Sequence, residues 1–329
     1  MRASNAILVG LVVASATALV ACGGGTVGSG SGGSAAGNND LWLIPGTQNE
    51  PFYISLQCGA QDEAKKLGYQ LHTQAPASFA PQQQTPIVTA AINDRPAGLL
   101  IAPTDATAMA GPERQATSAG IKVIEVDTSL QDGSIAQSHV SSDNIAGGKK
   151  AADTLGQLLA GKSGSVLVLD TIAGTSTTNQ RVQGFTDEIK AKFANLKVLQ
   201  PQFTNNEPPV ATQKVNAALS STPDLVGIFA TNLNSGQGAA TALGNSGKAG
   251  QVQLVGFDAS PNEVNDLRAG KFQALIAQDP ATIGRDGVDQ AVAAITGKPV
   301  TPKIATELIA IAGTDMDSKQ RYFYKSQCS

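Results

Sequence analysis

From Leu41 onward, short apolar runs take turns with stretches of helical character, and few folds accommodate that alternation. The apolar runs fall at 41–44, 98–102, 122–126, 166–169, 225–230, 251–257 and 274–277. Several are apolar throughout, as strands covered on both faces by helices are. Helices are predicted at 52–67, 87–93, 106–119, 144–159, 179–192, 210–219, 236–245, 261–269 and 283–295. Strands alternating with helices imply a mostly parallel sheet joined by right-handed crossovers. With 329 residues there is room for two such lobes with separate cores. Gly68, Gly120, Gly161 and Gly297 read as helix stops, and Pro261 after Ser260 as a helix first turn.

Charge argues against nucleic acid as a partner. Lys+Arg number 23 against 26 Asp+Glu, a net charge of -3, and aromatic residues make up only 4% of the chain. The two histidines, His72 and His139, stand far apart, and no HExxH or CxxC spacing occurs, so neither metal nor cofactor is expected.

The chain starts with a basic Arg2 and continues with apolar and small residues from Ala6 to Ala21. That stretch is shorter than the roughly 20 residues a membrane span needs. It ends in Leu19-Val20-Ala21-Cys22, which resembles a bacterial lipobox. On this reading 1–21 are a lipoprotein signal peptide and Cys22 is the lipidated residue. Residues 22–40 then form a flexible tether dominated by Gly, Ser, Ala and Asn. The globular body is expected in the cell envelope, anchored by lipid outside the cytoplasmic membrane, in the periplasm or at the cell surface. Lipidation of Cys22 leaves Cys58 and Cys328 as an even pair in an oxidising compartment. They are expected to form a disulfide from the first helix to the C-terminal tail; the alternative is one buried and one loose thiol.

Polar residues gather where strands end, the edge at which parallel sheets bind ligands. Two strands each end in an aspartate: Ile124-Glu125-Val126-Asp127 and Val255-Gly256-Phe257-Asp258. Other such segments are Thr47 to Tyr53, Pro103-Thr104-Asp105, Ala173 to Ser176, Thr231-Asn232 and Ala277 to Pro280. Carboxylates, amides and an arginine set around aromatic faces suit a hydroxyl-rich ligand. A carboxylate accepts from two neighbouring hydroxyls, and an amide both donates and accepts. Phe52 and Tyr53 are suited to the C–H face of a sugar ring. Taken singly, each residue has a plainer explanation: an aspartate after a strand is often a helix cap, a lone arginine a surface group and a lone Phe part of the core.

Together these features resemble the periplasmic sugar-binding proteins of the ribose-binding type, the substrate receptors of ABC importers. Four stretches carry the resemblance, which runs from about Leu41 to Ile311. They are Asn49-Glu50-Pro51-Phe52-Tyr53; Ser138 to Asn144 with Gly147-Gly148; Ile172 to Ser176 through Arg181 to Gly184-Phe185; and Val255-Gly256-Phe257-Asp258. Gln278 before Asp279-Pro280 fits as well. The resemblance implies an α/β type I periplasmic binding protein: two Rossmann-like three-layer lobes joined by a three-segment hinge, with sugar held in the cleft. It places the N-terminal lobe at 41–142 plus 279–306 and the C-terminal lobe at 143–278 plus 307–320. The tail at 321–329, with Tyr322-Phe323-Tyr324, goes beyond the family's usual end and is expected to pack back on the first lobe, where Cys328 could reach Cys58. It implies Phe52 and Tyr53 as ring-sandwiching aromatics, and Asp127 and Arg181 as partners of hydroxyl or ring oxygens. Asn232, Asp258 and Gln278 supply the remaining polar contacts. Asn49 precedes the position where the ribose receptor has an asparagine ligand, and Glu50 occupies that position. Thr128 stands where that receptor has an arginine, and Asn205-Asn206-Glu207 fills a region that supplies an aromatic there. A different pentose, a hexose or a polyol therefore suits the site as well as ribose.

The implied partners are a membrane permease with a separate ATPase subunit, for a monomeric receptor with no catalytic residues. Rival functions are a receptor for chemotaxis or a sensor kinase, a glycosidase using Asp127 and Asp258, and a sugar-binding repressor. The glycosidase pair would have to flank a glycosidic bond. The repressor would need a DNA-binding element where the lipobox and tether stand.

Overall fold

The computed structural model describes residues 38–328. Cys22 and most of the expected tether lie outside the described residues. Among the described residues, two sheets form the frame. The first has six strands in the order β12-β5-β4-β3-β1-β2 and is parallel throughout. Its members are β1 (Asp40–Ile44), β2 (Gln70–Thr73), β3 (Gly98–Ile101), β4 (Lys122–Val126), β5 (Ser138–Ser142) and β12 (Lys303–Thr306). The second has the order β13-β11-β10-β9-β6-β7, with β8 also on β6. It comprises β6 (Gly164–Asp170), β7 (Leu196–Val198), β8 (Gln202–Phe203), β9 (Leu225–Ala230), β10 (Gln253–Phe257), β11 (Ala274–Gln278) and β13 (Leu308–Ala312). Only β13 runs antiparallel within it, along β11.

The period of two along each strand builds the layers. In β1, Leu41 and Leu43 face α1 (Pro51–Leu67) and α9 (Pro280–Ile295), while Trp42 and Ile44 face α2 (Pro81–Asp94) and α3 (Ala110–Ser118). In β6, Val166 and Val168 face α4 (Asn144–Leu159) and α5 (Ser176–Lys192). Leu167 and Leu169 face the opposite layer, α6 (Pro208–Ser221), α7 (Leu233–Asn245) and α8 (Pro261–Arg268). Each sheet is thus covered twice, which is why the strands are apolar on both faces.

The chain passes from one sheet to the other after β5, after β11 and after β12. Side chains at these three crossings touch. The Ser142 hydroxyl donates to Gln278 Oε1 at 2.9 Å and lies 3.3 Å from the Thr306 hydroxyl.

Several boundaries differ from the sequence reading. Helix α2 starts at Pro81, not at 87; Pro81 occupies the first turn and Pro86 is carried inside the helix. Helix α3 starts at Ala110 rather than 106, because Asp105 accepts from the Thr107 and Ala108 amides and forms a turn first. Strands β2, β5, β7, β8 and β12 carried too little apolar pattern to be predicted, whereas β13, Leu308-Ile309-Ala310-Ile311-Ala312, is apolar throughout and was missed all the same. The helix stops stand: Gly68, Gly120, Gly161 and Gly297 all have positive φ. Ser260 opens α8 with a capping box to Glu263.

Beyond β13, a 3-10 helix (Met316–Tyr322) leads to the tail. Cys328 is bonded to Cys58 of α1. The tail packs on α1, on the side where the sequence reading expected it, and also touches the loop after β10. The Lys325 amide donates to Ser55 Oγ, and the Tyr324 amide to the Ala259 carbonyl.

Candidate functional site

Asp127 and Asp258 occupy equivalent places in the two sheets. Each follows a strand, β4 or β10, and donates its amide to the neighbouring strand, to Val140 at 2.9 Å and Ile276 at 2.8 Å. Each then takes a positive φ, 64° and 90°, and turns out of its sheet. Aspartate is among the few residues that tolerate this region, since its short side chain bonds locally.

Between them lies a cavity lined from both sheets. The first sheet's side contributes Glu50, Phe52, Tyr53, Asp127 and Thr128; the second contributes Arg181, Asn232, Asp258 and Gln278. Asn49 does not reach this cavity. It has φ 61°, is exposed, and lines an outer groove instead.

Helix α1 enters the site by its first turn. Glu50 sits at its N-cap yet makes no capping bond, so its carboxyl is left for the cavity. Phe52 and Tyr53 follow directly, packed edge to face at 5.1 Å. The Tyr53 hydroxyl donates to Asp127 Oδ2 at 2.9 Å, fixing that carboxyl. Thr128 spends its hydroxyl on the Pro103 carbonyl.

Arg181 is 3% exposed, not a surface arginine. Its Nε donates to Asn144 Oδ1 and its Nη1 to the Thr231 carbonyl, both at 2.8 Å. The guanidinium lies 3.8 Å over the Phe257 ring. Three rigid contacts therefore hold the fork while the cavity takes its remaining donors. Helices α4 and α5 set this position through close backbone approach. A Cβ on Gly148 would stand 2.1 Å from the Arg181 carbonyl, and one on Gly184 would stand 2.2 Å from that of Ile145.

Asn232 caps α7 through Oδ1 and donates to Asn206 Oδ1 through Nδ2. It is a helix cap and a cavity residue at once. Asp258 is not a cap of its own following helix, since Ser260 has that role. Its Oδ2 accepts from the Leu233 amide at 3.0 Å; its Oδ1 accepts from Gln278 Nε2 at 2.8 Å and from the Tyr324 hydroxyl at 3.0 Å.

Burial, reinforced by Asp258 and Asp127, pushes the Glu50 carboxyl up to about 8, against the pull of Arg181. Burial pushes Asp127 up to about 6, with Arg181 and the Tyr53 hydroxyl opposing. A site rich in acceptors with one firmly held cation favours a ligand that donates many hydrogen bonds. Among the described residues no three His, Cys, Asp or Glu side chains converge closely enough to hold a metal ion.

Sequence reasoning missed Phe79, Thr171, Thr177 and Thr178 as lining residues, and passed over Thr175 and Asn206 within segments it had noted. The threonines follow β6 at its carboxyl end, the same signal that marked the aspartates. Thr175 matters most, because its buried hydroxyl has no partner in the protein. Phe79 lies in an irregular loop before α2, where no pattern marks it.

Comparison with known proteins bears on this geometry. The model of the periplasmic binding protein domain matches residues 41–299. The chain belongs to that family. It is 34% identical over 276 residues to the ribose import binding protein RbsB of Salmonella typhimurium, covering 84% of this chain and 91% of that protein. An ABC transporter solute binding protein from Agrobacterium vitis, solved with alpha-D-tagatopyranose, superposes with a TM-score of 0.84 at 37% identity. The match covers 87% of this chain and 99% of that one. A second protein from Agrobacterium vitis, with bound D-fucose, gives a TM-score of 0.82 at 27% identity, covering 87% of this chain and all (100%) of the other. The resemblance read from the four sequence stretches and the two-lobed α/β fold are both upheld.

Proposed function

We propose that this protein is the extracytoplasmic substrate-binding component of a carbohydrate ABC importer, holding a monosaccharide or sugar polyol between its lobes. The observation that carries the proposal is the cavity itself. Acids, three side-chain amides, a fixed arginine and an unpartnered threonine hydroxyl surround it, with Phe52 and Tyr53 forming an aromatic wall. The family and the sugars named for its relatives support the same conclusion.

In this reading Glu50, Phe52, Tyr53, Asp127, Thr128, Arg181, Asn232, Asp258 and Gln278 contact the ligand, joined by Thr175. Asn49 shapes only the rim. The lobes are 41–142 plus 279–306 and 143–278 plus 307–320. Sugar contacts both lobes and favours the closed form, because only closure completes its hydrogen bonds. The closed form delivers the sugar to a permease served by a separate ATPase. A lipid on Cys22 and the tether keep the monomeric receptor at the membrane. No covalent step is involved. Both aspartates are already committed to hydrogen bonds that hold them still, as recognition requires.

A thermal-shift panel of pentoses, hexoses and their polyols on the purified chain, stripped of ligand by unfolding and refolding, tests this. A native-state ligand at a hundred times its Kd adds about 2.7 kcal/mol, a rise of a few degrees. A clear rise with one member names the substrate. No rise across the panel with folded protein removes the sugar reading.

A further inference from the structure

The tail beyond β13 is outside the three hinge crossings and does not line the cavity, yet it bonds a carboxylate that does. Tyr324 is 5% exposed. Its hydroxyl donates to Asp258 Oδ1 at 3.0 Å and accepts from the Gln278 amide at 3.1 Å. Its amide donates to the Ala259 carbonyl at 2.9 Å. Its ring meets that of Phe52 at 6.0 Å from behind the aromatic wall. One residue later the chain is bound to α1, through Lys325 to Ser55 and then through the Cys328–Cys58 bond. Tyr322 and Tyr324 belong to the same apolar cluster as Leu56 of the first lobe and Val264 of the second.

We propose that the C-terminal tail is a strap that sets the Asp258 carboxyl from behind, with Tyr324 as the positioning residue and the Cys58–Cys328 bond as its fastening on α1. A carboxylate offers about four acceptor directions. Asp258 spends three of them on Leu233, Gln278 and Tyr324, and the direction left over is aimed by those three. Tyr324 is the only one of the three that reaches Asp258 from the first lobe's fastening. Burial first, and the nearby Asp258 second, push the Tyr324 phenol well above its usual range, so it stays a donor. The strap ties the aim of a second-lobe ligand group to a first-lobe helix. Its effect on sugar affinity rests on the proposed function; its effect on Asp258 does not.

The test uses the purified chain as wild type, Tyr324→Phe, Asp258→Asn, the double variant and the Cys58→Ser/Cys328→Ser pair. Tyr324→Phe keeps the ring and removes the hydroxyl. Without sugar, amide exchange at Leu233, whose acceptor is Asp258, is expected to rise about tenfold, the equivalent of one buried hydrogen bond. Exchange in β3 should not move. The unfastened cysteine pair should show the same pattern, and it decides the question if Tyr324→Phe does not fold. With D-ribose and D-tagatose as probes, Tyr324→Phe should weaken binding about tenfold in wild type and have little effect on the Asp258→Asn background. Unchanged exchange at Leu233 in both the phenylalanine variant and the cysteine pair overturns the strap. So does an equal loss of affinity in both backgrounds, which general loosening would give. If the wild type binds no sugar at all, the functional proposal fails separately, and the exchange measurements still decide the strap.

Discussion

Glu125 sits at 2% exposure in β4, two residues before the cavity-lining Asp127, and makes a single bond, accepting from the Leu130 amide at 3.0 Å. Burial pushes its carboxyl up to about 7. Glu113 of α3 is fully buried nearby with both oxygens unpartnered; burial, and then Glu125, push it well above the usual range. The sign of the effect on stability follows directly. Between about pH 4.5 and about pH 7 the unfolded chain releases these protons before the native protein does, so stability falls as pH rises. Glu125→Gln keeps the acceptor for Leu130 and removes the titration. Its thermal midpoint should fall less than that of wild type between about pH 5.5 and about pH 8, and a matching fall would contradict this. Such residues were invisible in sequence, because Glu125 in an apolar strand has the same neighbours whether it is buried or exposed. Asp127 and Asp258 were visible, because a carboxylate directly after a strand already implies a place at the sheet's ligand edge.

The helix pair α4–α5 carries the arginine, and its spacing is set by glycine. The clash distances at Gly148 and Gly184 are to backbone, which cannot rotate away. Gly148→Ala should therefore push α5 off α4, move Arg181, and weaken sugar binding more than a surface substitution does. Overpacking of this kind costs roughly 1–3 kcal/mol, which a denaturant titration reads alongside affinity. Unchanged affinity and stability would mean that α5 adjusts freely. These glycines were legible as part of the family resemblance, but the reason for them, close helix approach, needed three dimensions. Strand β5 shows the reverse. Its sequence, Ser138-His139-Val140-Ser141-Ser142, lacks an apolar run and uses hydroxyls at both ends: Ser138 bonds the Thr301 carbonyl where β5 and β12 begin, and Ser142 bonds Gln278 at the crossing between sheets. Local pattern fails there because the strand serves the junction between lobes as well as its sheet.

At the scale of the whole molecule, a run of hydrogen bonds joins the crossings between sheets to the cavity. Ser142 at the first crossing holds Gln278 at the second, Gln278 holds Asp258, and Asp258 is backed by Tyr324 from the tail. The crossings between sheets and the cavity are thereby linked through one carboxyl group. Calorimetric titration of the best sugar from the panel into wild type and Asp258→Ala tests this account most directly. The account predicts measurable binding by wild type and at least a tenfold weaker Kd in the variant, about 1.4 kcal/mol, with the variant still folded. Equal affinity in the two proteins would show that the sugar binds elsewhere and would contradict the site described here.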